Sequence, residues 1–129
     1  MNKAAVFSQS IPVSVARPIK RSDVEAVLKK FLLSIGQPLS NNGVILGHIK
    51  LLAKLAASED YIFLSLTRMD RVDVKTMSED AVVDAGSLIR ELVLELNVLV
   101  FGHSKEAVMK VVQKSLADAE FKAHNLFRP

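Results

Sequence analysis

The chain has 129 residues, half of them apolar, which is enough for one domain with a core that folds without covalent staples and too few for a second. It contains no cysteine, which excludes disulfides, thiolate nucleophiles, iron–sulfur clusters and cysteine-ligated zinc, and suits a reducing, cytoplasmic compartment. The formal net charge of +3 is unevenly spread, because Lys3, Arg17, Lys20 and Arg21 fall in an opening stretch without a single acid and the remainder is close to neutral.

Residues 1–21 mix Ser, Gln, Pro and the alternating Ile11, Val13 and Val15 without a helical period, so they read as an extended basic arm or an added edge strand, with 22–129 as the domain proper. Arginine without acid resembles a transit peptide in composition, but Pro12 and Pro18 break any amphipathic helix there. The first helix is expected at Ser22, capped by that hydroxyl with Glu25 reaching back in a capping box. Val24, Val27, Leu28, Phe31, Leu32 and Ile35 then fall on one stripe, and Gly36 with Pro38 should end it.

Residues 43–57 fit two patterns. A helix aligns Ile45, Ile49, Leu52 and Ala56; a strand puts Ile45, Ile49, Leu51, Ala53 and Leu55 on one face and His48, Lys50 and Lys54 on the other. Gly43 and Gly47 would each cost a helix about 1 kcal/mol, which tips the reading towards a strand. The same segment is the longest apolar run, but its charges stop it well short of the about 20 residues of a membrane span.

Ile62, Leu64 and Leu66 alternate with Tyr61, Phe63, Ser65 and Thr67, which predicts a strand. After Arg68, Met69 and Asp70, a second alternation of Val72, Val74 and Thr76 with Arg71, Asp73 and Lys75 predicts its hairpin mate. Ser78, Glu79 and Asp80 suggest a short third helix, weakened by Gly86. Leu92, Leu94, Leu96, Val98 and Val100 alternate with Glu91, Glu95 and Asn97 in a central strand. A second amphipathic helix, capped by Ser104, carries Val108, Val111, Val112, Leu116 and Ala119, and the chain is expected to fray after Phe121 with Leu126 and Phe127 free to pack. The sum is an α+β domain: a mainly antiparallel sheet of about four strands with two principal amphipathic helices on one face.

Two constellations are candidates for function. Gly102, His103, Ser104 and Lys105 sit between a strand and a helix, where free amides, an imidazole and an ammonium group would hold an anion; the run lacks the glycine spacing of a phosphate loop, and a turn needs Gly and Ser for its own reasons. On the outer face of the sheet, His48, Lys50, Lys54, Arg71 and Lys75 are expected to join Asp73, Glu91, Glu95 and Asn97, with Val44, Leu46, Leu52, Tyr61 and Phe63 among them. His48, His103 and His124 lie in different elements without metal-ligand spacing, so no metal or cofactor is expected, and no GxSxG elbow marks a nucleophile.

These features favour a non-catalytic, self-associating binding or assembly module that uses the sheet face. The alternative is a small enzyme or anion-binding protein at 102–105, with His103 as acid or base. An acidic partner or nucleic acid held by Lys3, Arg17, Lys20 and Arg21 is a further expectation, although Tyr61 and Phe63 alone make a thin stacking platform.

Overall fold

The computed structural model describes residues 3–55, 60–77 and 88–123. In chain order these form β1 (Ala5–Lys20), α1 (Arg21–Leu39), β2 (Val44–Leu55), β3 (Tyr61–Arg68), β4 (Arg71–Met77), β5 (Leu88–Val100), α2 (Lys105–Asp118) and the two-residue β6 (Lys122–Ala123). The strands make one sheet in the order β4-β3-β2-β5-β1-β6 with every neighbouring pair antiparallel, so the chain is α+β. The expected short helix from Ser78 to Gly86 lies outside the described residues, as do Leu126 and Phe127.

Five long strands replace the expected four, and β1 is the addition. Residues 5–20, read as an extended arm or an added edge strand, are a strand: they pair with β5 from Ala5 opposite Val100 to Lys20 opposite Leu88, and Ala5, Phe7, Ile11 and Val13 are buried. Gln9 interrupts the inward apolar alternation, and Ser8, Ser10 and Pro12 stand on the outward face, which is why the segment looks like a polar tail. Its pairing slips between Ser14 and Ile19, around Pro18.

α1 departs from expectation at both ends. It begins at Arg21, with Lys20 as a cap residue that makes no side-chain hydrogen bond, because β1 runs directly into it while Lys20 is still paired with Leu88. Glu25 does not close a capping box; its carboxylate accepts from Thr76 of β4 at 3.5 Å. At the other end the helix passes through Gly36 and Pro38 to Leu39. Burying Ile35 and Leu39 is worth about 4 kcal/mol together, more than the about 3 kcal/mol that an interior proline costs. Gly36 is buried against Leu66 and Met69, so the missing side chain lets α1 sit close on β3.

Residues 44–55 are a strand, and the face assignment follows the alternation: Ile45, Ile49, Leu51, Ala53 and Leu55 are buried, while Leu46, His48, Lys50, Leu52 and Lys54 are not. Together with Ile62, Leu64 and Leu66 of β3, the inward side chains of β1 and β5, and Val24, Leu28, Phe31, Leu32, Val108, Val112 and Leu116 of the helices, they form a single hydrophobic core. Beyond α2, Phe121 meets Phe31 edge to face with centroids 5.1 Å apart, and Lys122 and Ala123 pair with Ser14 and Val13, so the chain stays anchored past the point where it was expected to fray.

Candidate functional site

Strand register brings the predicted outer-face residues together. One cross-strand row runs Met77, Tyr61, Lys54, Val93, Pro12; the next runs Lys75, Phe63, Leu52, Glu95, Ser10; the third runs Asp73, Ser65, Lys50, Asn97, Ser8. His48 lies in the row beyond, opposite Leu99, and Arg71 projects at the start of β4. The first two rows therefore place Tyr61, Phe63, Leu52 and Val93 side by side, each half-buried by its neighbours and none covered by another layer of described residues. Val93 and Leu99 were missed by sequence reasoning, although the alternation that identified Glu91 and Glu95 also marks them.

Charge on this face is largely neutralised in place. Lys54 Nζ lies 3.0 Å from Glu95 Oε1, and Arg71 Nε lies 3.1 Å from Asp73 Oδ1. Ser8 Oγ donates to Asn97 Oδ1 at 2.7 Å. Lys50 and Lys75 are left as the unpaired cations of the face among the described residues, with Glu91 as its unpaired acid. Such solvated pairs contribute little stability, about 0–1 kcal/mol each, so the face is not held together by them; what they do is ring an apolar centre with fixed charges of both signs.

At the second candidate, Gly102 turns the chain with φ of 86° and the polar groups are engaged by the protein itself. His103 Nε2 donates to the Leu39 carbonyl at 3.2 Å, satisfying one of the oxygens left over at the end of α1. Ser104 Oγ accepts from Ala107 N at 3.1 Å and caps α2 as its sequence predicted. Lys105 is exposed. Ser104→Ala is therefore expected to cost about 1 kcal/mol, read as a lower urea midpoint, with Lys105→Ala within about 0.5 kcal/mol of the parent. Equal losses at the two positions would remove the capping assignment.

The basic set of the opening segment is divided: Arg21 is buried, with Nη1 3.3 Å from Asp60 Oδ2, Lys3 lies ahead of β1, and Arg17 and Lys20 lie towards its far end. A further recess opens where β1 slips, lined by Val15, Arg17, Ile19, Asp23, Val27 and Glu120, with a volume of about 480 Å³. It lies on the helix side, next to the Lys30–Glu120 ion pair of 3.1 Å, and the sequence gives no sign of it because the slip in β1 creates it. Among the described residues no helix is long and apolar enough to cross a membrane. The chain matches no protein-family model, no curated protein and no solved structure.

Proposed function

We propose that this protein is a non-catalytic, self-associating binding module of the cytoplasm whose outer sheet face is the surface it offers to another protein. The observation that carries this reading is the block of Leu52, Tyr61, Phe63 and Val93 on the solvent side of a sheet whose core is on the other side. Both helices pack on that other side, so nothing among the described residues covers the block. Apolar side chains ringed by charges are the anatomy of a protein contact: the centre supplies desolvation, and Lys50, Lys75 and Glu91 at its margin supply orientation. The near balance of charge favours a partner of mixed charge over an acidic one or nucleic acid. The turn at 102–105 supports an anion site less well, because His103 and Ser104 already serve the ends of the two helices.

The test is site-directed photo-crosslinking of the full chain in the cell that makes it. Phe63→benzoylphenylalanine should yield a discrete protein adduct that Leu52→Asp abolishes, while Lys114→benzoylphenylalanine on the exposed flank of α2 yields none. The same adducts from both positions, or none from position 63, would dismiss the outer face as a contact surface.

A further inference from the structure

The two edges of the sheet are treated differently. At the β1 edge, Pro12 lacks a donor and β6 covers Val13 and Ser14. At the other edge, β4 is hydrogen-bonded only to β3 among the described residues, contains no proline, and pairs without a slip from Val72 to Met77. Its free N–H and C=O groups form a template for one more strand. Edge charges ordinarily discourage such pairing, but those of β4 are arranged symmetrically. The strand reads Arg71, Val72, Asp73, Val74, Lys75, Thr76, Met77, with Asp73 and Lys75 equidistant from Val74 and both on the outer face, opposite Ser65 and Phe63.

We infer that β4 pairs antiparallel with β4 of a second copy about a two-fold axis at Val74, joining two six-stranded sheets into one. This deepens the reading above by naming how copies associate. In that register Asp73 lies opposite the partner's Lys75 and Lys75 opposite the partner's Asp73, so both charges are complemented twice over by symmetry. On the helix side Val74 meets the partner's Val74 and Val72 meets the partner's Thr76, covering two valines that are only half-buried in the single chain. Antiparallel pairing that keeps the two faces in phase allows shifts only in steps of two residues. Centring on Asp73 sets that acid against itself and Arg71 against the partner's Lys75; centring on Lys75 sets two ammonium groups against each other. Centring on Val72 also sets opposite charges together, Arg71 against the partner's Asp73, but pairs only residues 71–73. Among registers that pair five or more residues of β4, the Val74 register alone has opposite charges facing and no like pair, and it pairs the whole strand. It also merges the two outer faces into one broad surface.

Sedimentation of the full chain over a concentration series tests this. The wild type should form a dimer of roughly micromolar strength, as expected for a short edge contact. Asp73→Lys and Lys75→Asp should each weaken it by about tenfold or more, since each turns two attractive pairs into repulsive ones, and the double variant Asp73→Lys/Lys75→Asp should restore it. Both substitutions are at exposed positions, and circular dichroism checks that all three variants keep the fold. In a chain with no other cysteine, Val74→Cys should give a disulfide-linked dimer on mild oxidation, and Thr67→Cys should not. Leu52→Asp, which removes the outer-face contact, should leave the dimer intact. A wild type that stays monomeric at its highest soluble concentration overturns the pairing, and so does a dimer indifferent to the single reversals or not recovered by the double. A dimer lost in Leu52→Asp and untouched by charge reversal would place the copies face to face; the crosslinking at position 63 reads the outer face whichever way this experiment falls.

Discussion

Gly47→Ala is expected to lower stability by about 3 kcal/mol or more, roughly 10 °C in melting temperature for a domain of this size. Two effects add. Gly47 has φ of 135°, a conformation that side chains rarely adopt, and a β-carbon there would press into the Leu99 carbonyl of the neighbouring central strand. Backbone cannot rotate away as a side chain can, so β2 and β5 must part where Gly47 pairs with Val100. Gly43→Ala is the control: φ is 77°, but nothing lies within 4 Å of the added carbon, and a loss of about 1 kcal/mol is expected from strain alone. Thermal and urea unfolding of the two variants separate the cases. Equal losses would show that strain, not the approach of β5, sets the requirement for glycine at position 47.

The second large effect is expected at Arg21 and Asp60, and it is asymmetric. Arg21 is 5 % exposed with Nη2 buried and unpartnered, whereas the Asp60 side chain keeps 23 % of its surface and reaches water. Asp60→Ala strands a buried guanidinium and should cost about 3 kcal/mol. Arg21→Met removes both the buried charge and its unsatisfied donor and leaves an aspartate that water can solvate, so its cost should be below about 1 kcal/mol. The comparison is made by chemical denaturation with Arg21→Met/Asp60→Ala as the fourth corner of a double-mutant cycle. If Arg21→Met proved as damaging as Asp60→Ala, the pair would be net stabilising in itself, and the asymmetry of burial would not govern it.

Much of the architecture is legible in the residues. Period-two alternation in 61–67 and 92–100, and the stripes of α1 and α2, each follow from one buried face, and that is a local signal; the start of β5 at Leu88 breaks the alternation between Ile89 and Leu92 and is not legible in this way. The segment at 43–57 is ambiguous in sequence because apolar residues stand on both its faces, Ile45, Ile49 and Leu52 at helical spacing and Ile49, Leu51, Ala53 and Leu55 in alternation; the glycines tip it towards a strand, and Gly47 takes a φ of 135° that no helix accommodates. The role of β1 was hidden for a different reason. Its inward Phe7, Ile11 and Val13 are too sparse to announce a core strand, and its partner β5 begins almost seventy residues later. The ends of α1 were misplaced because cap and breaker residues express only local preference, and packing of Ile35, Gly36 and Leu39 against the sheet outweighed it. The outer face could be listed residue by residue from alternation. Which of those residues are neighbours depends on register, and register follows from pairings distant in sequence.

One arrangement carries a cost during synthesis. β5 lies between β1 and β2, so β1, made before β2, β3 and β4, has no long neighbour among the described strands until β5 emerges from the ribosome. The β2-β3-β4 meander can close early, because its strands follow one another directly, but β1 and the inner flank of β2 wait, apolar and unpaired, until β5 is made. Growth of the nascent chain thus holds open a gap that only β5 fills, and that interval is where holdase chaperones have the most to shield.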